Sequence, residues 1–396
     1  MNFNEAVSAV HSLGNRGMNF GLERTRALLD GLGSPDGKLK IIHIAGTNGK
    51  GSTAEFITQI LIAAGKSVGT FTSPAVYDYC EQFRINGEPI DGELYAKAFG
   101  SALKISAGAT QFELETAAAL YAFVLAGCEY AVVECGLGGT YDATNAILRK
   151  EVAVINSVSL EHTGVLGNTL KEICTHKSGI IKGCPAVVNS LQSAEVAAFF
   201  EKKNVIITEK PQIICENAFL YGGKEYRLTM KGAAQPYNAA CAIEVAKLLK
   251  IDETATYMGV YSAFLGGRIE VLTAKDGTLY VLDGAHNPAA FAPLKDYVSK
   301  QSGEKSIVFG CLSDKDVKGN AAALAGVANE FFAVSPPVQR AMESDKIYSA
   351  LKCVCPVVYR AGTVAEALEK SVNKTVAVCG SFTLLKEAKI WIEKKL

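Results

Sequence analysis

Residues 41–53 read Ile41-Ile42-His43-Ile44-Ala45-Gly46-Thr47-Asn48-Gly49-Lys50-Gly51-Ser52-Thr53. A β-branched run gives way to a glycine-rich loop. Then Ala54, Ile57, Ile60, Leu61 and Ala64 recur at helical spacing before Gly65 stops the pattern, so the helix should pack one apolar face on a sheet. Strand, glycine loop and helix form the arrangement that cradles phosphates. The glycines let backbone N–H groups approach phosphate oxygens, and the helix N-terminus adds partial positive charge. Lys50 neutralises oxygens, and Ser52 or Thr53 reaches Mg²⁺. The bland alternative is a turn that only caps a helix. The spacing is not the usual G-x-x-x-x-G-K-[ST], because Ile44 stands five positions before Gly49, so the loop is shortened.

Outward from this stretch, short apolar runs alternate with helical patterns: Ile41 to Ala45, Ser67 to Thr72, Tyr130 to Glu134, Val152 to Val158 and Ala186 to Asn189. The alternation predicts a mostly parallel sheet with helices on both faces. Phe219 to Met230 reads instead as an antiparallel hairpin turning at Gly222-Gly223. A second alternating set follows at Leu279 to Asp283, Ser306 to Gly310, Phe331 to Ser335, Val357 to Tyr359 and Thr375 to Cys379. The expected fold class is therefore α/β, with a P-loop ATPase-type domain over 1–266, a linker over 267–277 and a smaller Rossmann-like α/β domain over 278–396.

Composition narrows the function. Lys plus Arg and Asp plus Glu are 40 each, so there is no basic excess of the kind nucleic-acid binding needs. Met1 to Val10 carries Glu5 and lacks a secretory pattern, and no apolar run reaches the ~18–20 residues of a membrane span. The expectation is a cytoplasmic, monomeric protein that binds neither nucleic acid nor membrane. The 11 cysteines are scattered in a long chain and read as reduced core residues. Cys353 and Cys355, in an apolar strand-like run, are a weak metal signal.

Ser73, Glu134 and His162 each fall just past or at the end of a predicted strand, where ligands gather in open α/β sheets. Hydroxyl, carboxylate and imidazole make a partial shell for a divalent ion bridging nucleotide phosphates. Gly136-Leu137-Gly138-Gly139 follows Glu134, but Tyr141 occupies the place of the third glycine of a dinucleotide fingerprint, which argues against a nicotinamide site. Of the other histidines, His11 and His176 are expected at the surface and His43 inside the first strand. Asp283-Gly284-Ala285-His286-Asn287-Pro288, after a strand of the second domain, is a further site candidate.

These residues resemble the folylpolyglutamate synthase and dihydrofolate synthase branch of the Mur-type ligases, nearly end to end. The resemblance is carried by Phe20-Gly21-Leu22, Leu32-Gly33-Ser34-Pro35, the loop from Ile42 to Ser52, Ser73-Pro74, Arg84-Ile85-Asn86-Gly87 and Phe112-Glu113. It continues through Glu134 to Gly139, Asp142-Ala143-Thr144-Asn145, Leu166-Gly167, Lys177-Ser178-Gly179-Ile180, Asn238, Gly267-Arg268, Asp283 to Pro288 and Gly380-Ser381-Phe382. It implies a Mg-ATP-dependent ligase that joins L-glutamate to a folate or dihydropteroate carboxylate through an acyl phosphate. ATP would be held by Gly46 to Thr53 with Asn238, Arg268 and Asp283. Metal ligands would be Ser73, Glu134, His162 and a carbamylated Lys177, making two Mg²⁺ sites. The pterin side would meet Thr110, Gln111, Phe112, Glu113, Tyr141, Asp142 and Ala143, and glutamate would meet His286 and Ser381. Lys50, Lys177 and His286 are the implied catalytic residues.

The chain departs from the family pattern at Ala75-Val76, Gln82, Thr140 and Glu161, none of them an implied metal ligand. Two other readings stay open at this level: a peptidoglycan-precursor ligase sharing the phosphate loop, and a P-loop switch. The switch lacks an Asn-Lys-x-Asp segment and leaves the second domain unexplained.

Overall fold

The computed structural model describes residues 1–16, 21–106 and 108–396, so Phe20 of the opening motif lies outside the described residues. Two compact units emerge. The first comprises residues 1–75, 79–229 and 235–263, and the second residues 76–78, 230–234 and 264–396.

The first unit is built on strands β1 (Lys40–Ala45), β2 (Val68–Phe71), β3 (Phe83–Ile85), β4 (Glu88–Pro89), β5 (Tyr130–Glu134), β6 (Val152–Ile155), β7 (Ala186–Val188) and β8 (Ile206–Ile207). Their order is β4-β3-β2-β5-β1-β6-β7-β8, parallel except for the β2-β3-β4 edge. Buried on both faces from Ile41 and Tyr130 onward, β1 and β5 are made mostly of Ile, Val and Ala, with His43 and Glu134 among them, as expected of a covered parallel strand. Strand order places β1 between β5 and β6. The loops after these three strands therefore share one edge.

One face is covered by the helices Gly92–Leu103 and Gln111–Leu125, whose Tyr95, Phe99, Leu114 and Phe123 form a core with Ile41, Phe71 and Val133. On the other, the helix Lys50–Ala63 packs against β1, β2 and β5 and is itself covered by the helices Gln235–Leu248 and Glu253–Ser262. This corrects the one-sided helix expected from spacing. Ten of its residues are buried, Glu55 and Thr58 among them. Gly259 permits the approach, since any Cβ there would collide with the backbone of Ile60. Glu55 is tolerated because Arg84 Nη1 donates to it at 2.6 Å, as a buried charge demands.

The expected hairpin is present as β10 (Ala218–Tyr221) and β11 (Lys224–Arg227), with Gly222 and Gly223 both at positive φ. A third strand, β9 (Gln212–Cys215), joins it. Its exposed Ile213 and Ile214 break the alternation by which a strand is read.

In the second unit, β12 (Glu270–Thr273), β13 (Leu279–Leu282), β14 (Lys305–Phe309), β15 (Glu330–Val334), β16 (Val358–Ala361) and β17 (Thr375–Cys379) form one sheet in the order β12-β13-β17-β14-β15-β16. Only β12 runs antiparallel. The residues read as a linker, 267–277, thus contain an edge strand. Lys275-Asp276-Gly277 is its turn to β13, closed by Gly277 N–H donating to Ala274 O at 2.9 Å. Four residues with one obvious turn carry too little periodicity to reveal a strand. Cys353 caps the helix Ser344–Lys352 rather than lying in a strand, and Cys355 sits in the turn before β16. No helix among the described residues is long and apolar enough to cross a membrane.

Candidate active site

The loop after β1 takes its shape from two glycines. Gly46 has φ 155° and Gly49 has φ 85°. A Cβ on Gly46 would lie 2.7 Å from Asn156 Cβ, and one on Gly49 would lie 2.5 Å from Asn238 Oδ1. Side chains there would push the loop off the residues that support it. Thr47 N–H donates to Ser157 O at 2.7 Å, and its hydroxyl donates to Ser159 O at 3.1 Å, tying the loop to the segment after β6. Beneath it runs a buried polar chain. Asn156 joins Thr53 at 2.9 Å, and Asn189 Nδ2 bridges Asn156 Oδ1 and Asn238 Oδ1 at 3.3 and 3.4 Å. Asn238 Nδ2 donates to Gln235 Oε1 at 3.1 Å, and Gln235 reaches Ser52 Oγ at 3.5 Å. Asn238, expected at the nucleotide, also belongs to the loop's foundation. Asn156, Asn189 and Gln235 were not legible as site residues, because single amides after a strand or at a helix start carry no spacing signal.

Charges gather at the same edge. Lys50 Nζ donates to Thr47 O at 3.2 Å and lies 3.7 Å from Glu134 Oε1. Ser73 N–H lies 3.4 Å from Glu134 Oε2. Lys177, almost fully buried on the helix Leu170–Ser178, donates from Nζ to Gly46 O at 2.8 Å. Burial, and then the neighbouring Lys50 charge, push its pKa down to about 8. His162, exposed with φ 50°, has Glu161 Oε1 3.7 Å from Nε2. Among the described residues no three His, Cys, Asp or Glu side chains form a ready cage for an ion. The group that Glu134 offers here is a carboxylate, with Ser73 adjoining it through its backbone N–H. Oxygen ligands suit a hard ion such as Mg²⁺, which keeps waters and completes its shell with phosphate oxygens rather than a full protein cage.

Beside this edge, still within the first unit, lies a cavity of about 700 Å³ lined by Thr110 to Glu113, Glu115, Gly136 to Gly139, Tyr141 to Ala143 and His176, among others. All seven residues expected on the pterin side thus meet in one cavity. Their carboxylates do different work. Glu113 closes a capping box with Thr110 and is held by Arg24, whose Nε and Nη2 donate to it at 3.1 and 2.8 Å. Asp142 accepts from Leu137 N–H at 2.7 Å and from the N–H and hydroxyl of Thr144, which moulds the Gly136 to Gly139 turn. Burial raises its pKa. Tyr141 stays more than half exposed, its ring 6.0 Å from His176. His176 was expected at the surface. It is half-buried on the cavity wall, because the helix carrying Lys177 turns it inward.

The second unit builds its own cluster after β13. Asp283 is buried and accepts from Ile269 N–H and Ala285 N–H, both at 2.8 Å. Burial raises its pKa and the Arg268 charge opposes this. The Arg268 guanidinium lies 4.3 Å over the Phe382 ring, and the His286 ring is 6.0 Å from the same residue. His286 Nδ1 lies 2.8 Å from Gly284 O. Ser381 Oγ is 2.8 Å from Thr383 Oγ1. Arg268 and His286 thus flank the Phe382 ring, and both charges act on Asp283, while Ser381 precedes Phe382 in the chain. Gly284 is what admits it, since a Cβ would overlap the Phe382 ring. Gly284→Ala is accordingly expected to destabilise this unit by about 1–3 kcal/mol or more. The check is a lowered denaturant midpoint, and an unchanged midpoint would mean that the ring is free to yield.

A glycine loop backed by a polar chain, with a carboxylate beside the loop lysine, makes a phosphate-binding edge in a chain that carries a second α/β unit, and that chain is a ligase of the Mur class. The Mur ligase middle domain matches residues 44–246 and the Mur ligase glutamate ligase domain residues 267–382. The Bacillus subtilis dihydrofolate synthase/folylpolyglutamate synthase is 31% identical over 88% of this chain and 88% of its own. A Haloferax volcanii relative, named as a bifunctional folylpolyglutamate synthase/dihydropteroate synthase, is 31% identical over 98% of this chain, which spans only 50% of its length. The structure of Escherichia coli FolC in complex with DHPP and ADP superposes with TM-score 0.88 at 27% identity, covering 100% of this chain and 98% of the other. A bifunctional folylpolyglutamate synthase/dihydrofolate synthase solved with Mn, AMPPNP and L-glutamate bound gives TM-score 0.85 at 27% identity, over 99% of this chain and 98% of that one. The chain belongs to the folylpolyglutamate synthase/dihydrofolate synthase family of the Mur ligase superfamily.

Proposed function

We propose that the protein joins L-glutamate to a folate-type carboxylate at the expense of ATP, forming ADP and phosphate. The observation that supports this most directly is the cavity of about 700 Å³ whose Gly136 to Gly139 wall continues from Glu134, beside the phosphate loop. A ring system lodged there would direct its tail towards the phosphate-binding edge. The ligand-bound relatives support ATP, a divalent ion and glutamate as the other components.

In this reading the substrate carboxylate attacks the γ-phosphorus and ADP departs. The glutamate amine then attacks the acyl phosphate carbon, releasing phosphate and a proton. Lys50, freed from Glu134, and the N–H groups of Gly49 to Ser52 stabilise charge on the transferring phosphoryl. Glu134, Ser73 and Ser52 would hold Mg²⁺, with His162 as a further ligand. The ion would offset phosphate charge. Lys177, already inclined to lose its proton, adds as the neutral amine to CO₂ and loses a proton. The resulting carbamate is an anion beside Gly46 able to hold a second Mg²⁺. Arg268 and Asp283 serve the nucleotide, and His286 and Ser381 the glutamate.

The test is mass spectrometry after incubation with Mg-ATP and glutamate, with a reduced folate in one reaction and dihydropteroate in another. The expected product is one glutamate heavier in at least one of them. A gain in both marks a bifunctional enzyme. No gain in either overturns the substrate assignment.

A further inference from the structure

Three carboxylates line the cavity, and counting their hydrogen bonds separates one from the others. Both oxygens of Glu113 and both of Asp142 are engaged by the protein's own donors, as described above. Glu115 is buried to all but 4%, yet its two donors converge on a single oxygen. Tyr79 Oη donates to Oε1 at 2.6 Å and Gln111 Nε2 donates to the same atom at 2.7 Å. Oε2 has no partner among the described residues, and it is not one of the sealed polar atoms of the interior. Since Glu115 lines the cavity, Oε2 opens onto it.

We propose that Glu115 is a substrate-recognition residue, with Oε2 accepting an N–H from the ring edge of the bound substrate. The inference rests on the folate-type reading above and specifies which edge of the ring the cavity reads. A buried carboxylate with one bare oxygen is uncompensated for lost hydration, which agrees with burial raising the Glu115 pKa. An amino or ring N–H of a 2-amino-4-oxo pyrimidine would supply the missing donor. The carboxylate is held ready to receive it. Tyr79 is in turn reached by Tyr95 Oη at 3.3 Å, and its ring packs edge-on against Phe83 at 5.5 Å, so Oε1 is fixed before ligand arrives. Such preorganisation lets one hydrogen bond discriminate strongly, because a ligand lacking the donor leaves the acceptor buried and unpaired.

The experiment measures equilibrium binding of dihydropteroate, its 2-desamino analogue and ATP to wild type, Glu115→Gln and Glu115→Leu, all as full chains. The Leu variant is expected to bind dihydropteroate at least about tenfold more weakly, as loss of a hydrogen bond to a charged group implies, with ATP affinity unchanged. The Gln variant, of the same shape and with one carbonyl oxygen, should lose less, and it carries the test if Leu lowers the melting midpoint. The desamino analogue should bind wild type weakly and gain or lose little on substitution. Equal dihydropteroate affinity in wild type and both variants overturns the inference, as does an equal penalty for ligands with and without the amino group. If wild type glutamylates folates while these substitutions leave the folate KM unchanged, only this inference falls. If wild type binds ATP but neither dihydropteroate nor reduced folate, the substrate reading falls first and this inference with it.

Discussion

Lys50→Ala is expected to lower turnover by at least about 10²–10³-fold, the cost of removing one fixed electrostatic partner from a developing charge. The fold should survive. Among the described residues Lys50 donates to the loop's own Thr47 O and lies 3.7 Å from Glu134, while the loop is held by the Thr47–Ser157 pair and the buried amides beneath it. A melting midpoint close to wild type, with weakened ATP binding and loss of ADP release, would assign the effect to phosphate contact. Lys50→Arg should recover part of the binding and little of the turnover, because a planar guanidinium does not fit a loop shaped around an ammonium. Turnover within a few-fold of wild type in the alanine variant would remove the loop from its role.

Lys177→Met should separate stability from activity. The folded chain lowers the Lys177 pKa from 10.5 to about 8. Below pH 8 the ammonium is therefore held at a cost of about 3 kcal/mol relative to the unfolded chain. Between pH 8 and 10.5 the unfolded chain still carries the proton that the folded chain has released. Stability rises with pH across that window for this group, and the penalty is relieved above it. Methionine removes the penalty together with the hydrogen bond to Gly46 O, which a charged donor makes worth about 1.5–3 kcal/mol. The variant is expected to match or exceed wild-type stability at pH 7 by up to about 1–2 kcal/mol, and to lose that advantage towards pH 10. If Lys177 acts as the proposed anionic metal ligand, turnover should fall at least about 10²-fold. Urea denaturation at both pH values and an ADP-release assay check the pair. A variant that is as active as wild type would mean that Lys177 serves only to hold the loop.

The phosphate loop was legible because its chemistry is local. Glycines, a lysine and a hydroxyl at fixed offsets between a strand and a helix are all within a dozen residues. Most of the parallel strands were legible for the same reason, each being a short apolar run between turns. The polar chain from Thr53 through Asn156, Asn189 and Asn238 to Gln235 and Ser52 was not, since it joins distant segments, Gln235 and Ser52 being 183 residues apart, and no single amide announces itself. His176 was placed at the surface for want of any sign of where its helix docks. The linker that proved to be a strand failed on length, not on chemistry.

Sequence alone determined that this is an α/β chain with a phosphate loop, and the long, specific block from Glu134 to Asn145 pointed to its family. Tertiary structure decided how the candidate residues divide their work. Among the pocket carboxylates, Glu113 and Asp142 are consumed by Arg24, Thr110, Leu137 and Thr144, whereas Glu115 keeps one oxygen for a ligand. An acid's identity is written in the chain, but whether its lone pairs are already satisfied depends on donors that only folding brings within hydrogen-bond distance.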